Sequence, residues 1–240
     1  MTTIVDALDR VARACSVTPP SNWITDTSDT VAEIRDDILP ETIDDLTKRV
    51  DWSAPTGKQT TISGDGSEDY DLPADFIRLK RDEFAVYETA NVRRIGTPVQ
   101  SDGAWTHIKQ IGTGAGNRYF RTKGYPGSYQ ISLYPNPASG ESVTVSYVSS
   151  VWMADSGGTK GSDFTAITDV LLFPRRLIET GCIWRWLQRR GFDFQIPHMQ
   201  YEAQIATEAN ATNQHRVIDI GGPRSVSAFD IPVPDYIPSS

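Results

Sequence analysis

Long apolar runs are missing from this 240-residue sequence. No stretch of about 18 residues is hydrophobic enough to cross a bilayer, so no membrane contact is expected. The opening residues, MTTIVDALDRVARACS, lack the basic leader and apolar centre of a secretory signal. Cysteine is scarce. Cys15 and Cys182 form no spaced motif, which fits two buried thiols better than a disulfide or a nucleophile. Nothing demands an oxidising compartment. The three histidines, His107, His198 and His215, have no metal-ligand spacing. There is no Gly-x-Ser-x-Gly elbow. Gly112–Gly116 is glycine-rich, but it lacks the Gly-Lys-Ser/Thr end of a phosphate loop and leads into a strand rather than a helix. Carboxylates are abundant, yet no spacing sets two of them apart as an acid–base pair. No catalytic, cofactor or metal site is therefore expected. Positive charge is also in short supply. Lys and Arg total 23 against 31 Asp and Glu, a net charge of −8. Such a chain is a poor general binder of nucleic acid, although DNA could pass beside it without sticking.

Hydrophobic residues make up 38% and charged residues 22%, which fits a globular protein with a sizeable core. The length allows one large domain or two small ones. The longest helix-like run is Asp169–His215, which reads as a helical hairpin. Phe173, Leu177, Gly181, Trp184 and Leu187 recur every three or four residues and share a face. Pro174 suits a first helical turn; alternatively Thr168 or Asp169 caps an earlier start and Pro174 kinks the helix. Gly191 can close the end in a left-handed conformation. Pro197 opens a second helix with Met199, Ala203, Ala206 and Ala209 on one side. Ile178, Cys182, Ile183 and Trp186 fall off the main face of the first helix, so that helix should be covered from several directions.

Upstream, Thr3–Ser16 reads as a helix, with Ile4, Leu8 and Val11 on one face. Asp26–Trp52 reads as two helical pieces, the second of which Pro40 either starts or kinks. Ser21–Trp52 holds nine carboxylates against three cations. Asp29, Glu33, Asp36, Asp37, Glu41, Asp44 and Asp45 form either a solvated face or an acidic surface lining a passage or meeting a basic partner. Between Gly57 and Ser150 the pattern turns to strands: Thr60–Ile62, Tyr70–Leu72, Phe76–Leu79, Phe84–Tyr87, Tyr119–Thr122, Tyr129–Tyr134 and Val143–Val148. Alternation in the last two predicts half-buried antiparallel strands, with Pro135–Gly140 as their hairpin connection. Ala104–Ile111 is a short helix or a turn. Ser149–Thr168 reads as a polar loop.

The fold class is therefore α+β. A helical bundle from residues 1–55 and 169–216 carries an inserted antiparallel β-rich module, 56–168. Residues 217–240 form an extended C-terminal tail, with four prolines among Ile218, Ile220, Val226, Phe229, Ile231, Val233, Tyr236 and Ile237. That tail is either a disordered end or an apolar strap laid along a partner. Trp184, Trp186, Arg175, Arg185, Arg189 and Arg190 are candidate contacts between subunits. In that reading the arginines meet acidic helices of the same or a neighbouring copy, the alternative being phosphate contact. A rival reading is a glycan- or receptor-binding tail component, with Trp105, Tyr119 and Tyr125 exposed in a groove on the β module.

The run Tyr70-Asp71-Leu72-Pro73-Ala74-Asp75-Phe76-Ile77-Arg78-Leu79 resembles the Y-D-L-P-x-D-F-x-R-L segment of phage head-to-tail adaptor proteins. These are the connector or gatekeeper proteins of tailed phages, including the tail tubular protein A type. The order of the other segments agrees: Asp51-Trp52 closing the N-terminal helices, YQISLYPNP at Tyr129–Pro137, the strand Val143–Val148, and the late helix at Asp169–Leu187. The resemblance implies a non-catalytic ring, usually of twelve copies, under the portal protein at the capsid vertex. Such a ring extends the DNA channel without binding DNA specifically. It also docks a downstream tail protein: a nozzle, stopper or tail terminator. By the same resemblance the protein is expected in the virion neck, assembled in the host cytoplasm, with the tail from Val217 running along the portal.

Overall fold

The computed structural model describes residues 3–52, 56–81, 85–90, 93–95, 98–112 and 118–213. Helix α1 (Ile4–Ala14) opens on a reciprocal cap: Thr3 Oγ1 accepts from the Asp6 amide while Asp6 accepts from the Thr3 amide. Its Ile4, Leu8 and Val11 are buried, as their spacing predicts. A loop then leads to one continuous helical rod made of α2 (Asp29–Ala32), a π-helical segment (Glu33–Ile38) and α3 (Leu39–Arg49). Without breaking the rod, Pro40 stands in the first turn of α3, as one of its two expected roles has it. Immediately before it the Leu39 amide reaches back five residues to the Ile34 carbonyl. The wider turn carries the chain into a proline, which has no amide to donate. Arg35 ties the preceding loop to this rod, donating to the carbonyls of Trp23 (2.7 Å), Ile24 (3.2 Å) and Asp26 (3.0 Å).

The β-rich part follows as β1 (Gly57–Ser63), β2 (Asp69–Asp71), β3 (Phe76–Leu79), β4 (Val86–Glu88) and β5 (Arg93–Arg94). A helix, α4 (Asp102–Ile111), precedes β6 (Tyr119–Tyr125), β7 (Ser128–Tyr134) and β8 (Ser142–Ser149). All pairings between these strands are antiparallel. One sheet has the order β1-β8-β4-β5, with β3 also on β8; another has the order β2-β7-β6. Strands β7 and β8 were expected to pair as a hairpin. They belong instead to different sheets, and Pro135–Gly140 crosses between them. The physical reason is burial: β8 is covered along nearly its whole length, because it takes β1 on one edge and β3 and β4 on the other. The true hairpin is β6–β7, with Tyr125 opposite Ser128.

The expected polar loop at Ser149–Thr168 contains two short strands, β9 (Met153–Ala154) and β10 (Lys160–Gly161); β9 also pairs with β11 (Val170–Leu171). Thr3 bridges to Val170, so the start of α1 joins this small sheet. Helix α5 (Arg175–Arg189) begins just after Pro174, which resolves the alternatives for its start. Asp169 does not cap it. Its Oδ2 closes a turn on the amides of Thr165 and Ala166, and its carbonyl receives the Ile4 amide at 2.9 Å. At the far end Gly191 has φ +74°. Phe192 donates to the Leu187 carbonyl and Gly191 to that of Gln188, the double bond of a left-handed glycine cap. Helix α6 (Gln195–Asn213) returns antiparallel.

The chain is mixed α+β with two cores. The helical core joins Leu8, Trp23, Ile34, Ile38, Leu46, Trp52, Ile178, Cys182 and Tyr201, and it takes in Trp152 and Met153 from the end of the β region. The sheet core joins Phe76, Val86, Phe120, Ile131, Leu133, Val145 and Tyr147. The inward residues of α6 are Tyr201 and Ile205; of the expected stripe Met199, Ala203 and Ala206 lie together outward and exposed, while Ala209 is half-buried against the helical core. No helix among the described residues is long and apolar enough to cross a membrane.

Candidate assembly surface and the joint behind it

The segment Tyr70–Leu79 forms a joint between the two cores. Phe76 packs edge-on against Tyr129 and tilted against Tyr147 inside the sheet core. Arg78 reaches the other way. It donates to Asp51, to the Thr47 carbonyl at 3.0 Å and to the Val50 carbonyl at 3.1 Å. Those carbonyls lie at the C-terminal end of α3, where helix acceptors lack partners of their own. Asp51 also accepts from the Arg81 amide. Trp52 donates its indole N–H to the Leu46 carbonyl (3.0 Å) and meets Phe173 edge-on at 5.1 Å. The helical end, the strand and the start of α5 are thus fastened at one place. Residues Asp51 and Arg78 carry this joint; in the sequence they stand 27 positions apart with no spacing rule to connect them.

Asp75 is the fastener within the sheet. It accepts from Lys58, from Ser149 Oγ (2.6 Å) and from the Tyr147 hydroxyl (3.1 Å). Burial alone would raise its pKa, but these donors, Lys58 foremost, hold it below the usual carboxylate range. A folded-state pKa below the unfolded one stabilises fully above the unfolded value near ~4 and loses that contribution as pH falls through the folded value. We expect acid titration of stability to steepen below about pH 4. Asp75→Asn should flatten that limb relative to wild type. Superimposable acid limbs would count against this role.

The arginine cluster is met inside the chain. Arg185 is buried: Nη1 donates to the Gly181 carbonyl (3.0 Å), Nη2 lies 3.1 Å from Asp45, and the guanidinium stacks over Trp184 and Tyr201. Arg189 contacts Glu41 (2.5 Å), Asp37 (3.6 Å) and Glu33 (3.8 Å); Arg190 contacts Glu33 (2.6 Å) and covers Trp186. Arg175 pairs with Glu179. Of the two sources expected for the acidic partners of Arg185, Arg189 and Arg190, the same chain or a neighbouring copy, the same chain supplies them. The reason is the crossing of α5 against the rod, which brings Glu33, Asp37, Glu41 and Asp45 alongside it. Asp36 pairs with Arg35 and Asp44 with Lys48, so only Asp29 of the seven acidic candidates has no ion pair among the described residues. Trp186 is buried and Trp184 is half-buried against Phe194, His198 and Tyr201. Burial pushes the Cys182 thiol up to about 11, and burial followed by the Asp45 hydrogen bond pushes the Tyr201 hydroxyl above its ordinary value.

With α5 covered by the rod and by α6, the outward face of the hairpin belongs to α6. Phe192, Ile196 and Met199 are 61%, 65% and 69% exposed. On the other side of α3 lies an open groove of about 610 Å³, lined by Ile24, Leu39, Pro40, Ile43, Ile77 and Trp152 among others. Of the aromatics in the rival groove on the β module, Trp105 is buried, its N–H donates to Glu68 and Arg121 stacks over its ring, whereas Tyr119 is half-buried and Tyr125 is exposed. The tail candidates Ile218, Ile220, Val226, Phe229, Ile231, Val233, Tyr236 and Ile237 lie outside the described residues, as do His215 and most of the loop after Gly112. Among the described residues no group of three or more His, Cys, Asp or Glu is placed to hold a metal ion.

What these parts define is a two-core α+β protein whose described chemistry is ion pairs, a stiff joint and an uncovered apolar helix face. The family model for SU10 adaptor protein matches residues 2–227. The chain belongs to that family of phage head–tail adaptors. A comparison with curated proteins gives no match.

Proposed function

We propose that the protein is the ring-forming adaptor between capsid and tail. Copies of the chain, twelve in the closed ring, sit under the portal protein at the virion neck, after assembly in the host cytoplasm. The ring extends the DNA channel and offers its lower face to a downstream tail protein: a nozzle, stopper or tail terminator. The observation that carries this reading is the family match across 2–227. The uncovered face of α6 supports self-assembly, because apolar stripes of this kind mark contact surfaces. The net charge of −8 suits a conduit, since genomic DNA then passes without counterion-releasing contacts. The reading assigns the chain no reaction, cofactor or membrane partner.

The apolar, proline-broken segment 217–240 acts as the portal strap, ordering only on docking. Removing 217–240 should leave the 1–216 fold and its thermal transition in place while abolishing co-purification with portal. Portal binding undiminished by the truncation would sink the strap. Electron microscopy of the protein mixed with portal tests the whole reading. A ring stacked on one end of the portal is expected, and its absence with intact components would overturn the adaptor role.

A further inference from the structure

Helix α4 rests on a surface that does not need it. Strands β6 and β7 turn Phe120, Ile131 and Leu133 into the sheet core. The residues that alternate with them stand on the opposite face, where Arg121 lies across from Ser132 and Lys123 across from Gln130. That face is polar, and its groups are paired within the sheet. Asp69 meets Lys123 at 2.7 Å and accepts from Ser132 Oγ at 2.6 Å, and Asp71 accepts from Gln130 at 2.8 Å. An antiparallel sheet with one such face is stable against water.

The helix is anchored there by one apolar side chain. Trp105 is the buried residue of α4; Ile108 is half-buried and every other residue of the helix is exposed. The Trp105 ring lies 4.9 Å from the Arg121 guanidinium and meets Tyr134 edge-on at 6.5 Å. The other ties are polar. Trp105 N–H and Lys109 share Glu68 at 2.9 and 2.7 Å, and the exposed Asp102 pairs with Arg121. Water can take over each of them. Docking also carries a penalty, because Arg121 Nε is buried with no hydrogen-bond partner among the described residues. Lifting α4 returns that donor to water. The helix brings its own ends. Ser101 Oγ accepts from the Ala104 amide at 3.1 Å, and the Gly112 amide donates to the Ile108 carbonyl at 3.0 Å. No backbone hydrogen bond among the described residues joins α4 to a strand.

We propose that α4 is a latch, which lifts from the β2-β7-β6 sheet as a unit while both cores stay folded. Local opening of this kind belongs to elements with few buried apolar contacts. Once lifted, a helix of 10 residues with Gly103 inside it does not hold in water, so its amides lose protection. Opening bares Arg121 and Ser132 and releases Trp105, Ile108 and Ile111, which follow one another at intervals of three along one side. Hydrogen exchange of the full chain, read by mass spectrometry, tests the latch. Peptides covering 102–111 should exchange on the order of 100-fold faster than those covering β7 and α5, after correction for intrinsic rates. Protection of α4 equal to that of β7 would overturn the proposal. Trp105→Ala removes the anchor. It should strip the remaining protection from 102–111, leave that of β7 in place and keep the thermal midpoint within about 2 °C of wild type, because the latch is already open when the cores melt. A larger fall in the midpoint, or protection lost across β7 as well, would make α4 part of the sheet's cooperative unit and overturn it.

Discussion

Replacing Arg78 by methionine is expected to destabilise the protein by about 3 kcal/mol. Methionine keeps much of the length and loses the charge and every donor. The Thr47 and Val50 carbonyls at the end of α3 then lose their partner, and the Asp51 carboxylate is left without its cation. Side chains of Arg78 and Asp51 are only 20% and 21% exposed, so water replaces the lost bonds poorly. A surface pair would contribute ~1 kcal/mol or less. Because the contact links the two cores, the loss should also reduce cooperativity. Denaturant unfolding followed by tryptophan fluorescence should show a lower midpoint and a shallower slope, as the sheet core and the helical core come apart separately. Asp51→Asn should cost less, since the amide oxygen still accepts from Arg78. A double-mutant cycle between the two positions should show coupling of roughly 1–3 kcal/mol. Additive effects, or an Arg78→Met variant within about 0.5 kcal/mol of wild type, would show that the cores are held together elsewhere.

The joint also explains why the family resemblance was legible. Tyr70–Leu79 is a dense set of obligations: Leu72 and Phe76 fill the sheet core, Asp75 collects three donors, and Arg78 closes the helix end. Each needs its own residue type, so the segment stands out as a string of letters. Local elements were legible for similar reasons. The α1 face follows from Ile4, Leu8 and Val11, and the end of α5 follows from Gly191. Strand partners were not legible, because alternation states which face a strand buries but not which strand lies beside it. The pairing of β8 with β1 rather than β7 turns on contacts 79 to 91 residues apart. Which side of α6 faces inward was not legible for a different reason. Both of its sides are apolar, so periodicity alone could not say which faces inward. Tyr201, with a hydroxyl suited to Asp45, decides it. The arginines were recognised as ion-pair partners from charge alone, but only the crossing of α5 on the rod identifies Glu33, Asp37 and Glu41 as theirs.

That same crossing depends on a missing side chain. A Cβ at Gly181 would sit 2.5 Å from Thr42 Cγ2 and 2.9 Å from Tyr201 Cε2, so α5 approaches both α3 and α6 through this one residue. Gly181→Ala gains about 1 kcal/mol of helix propensity. It should nevertheless lower stability by about 2 kcal/mol net, a fall in Tm of roughly 4–8 °C for a chain of this size. The deciding point is whether Thr42 can move. It is fully buried, its hydroxyl donates to the Ile38 carbonyl at 2.8 Å, and Arg185 lies 3.3 Å away. A shift that relieves the methyl contact disturbs the buried guanidinium as well, which raises the cost above simple overpacking. Gly181→Val, with a branched Cβ, should lose about 4 kcal/mol. Thr42→Ser removes the colliding methyl and keeps the hydroxyl, so it should recover much of the Gly181→Ala loss in the double variant. If calorimetry shows the two substitutions simply adding, Thr42 is not the obstacle. If Gly181→Ala alone is neutral or stabilising, α5 does not approach its neighbours this closely.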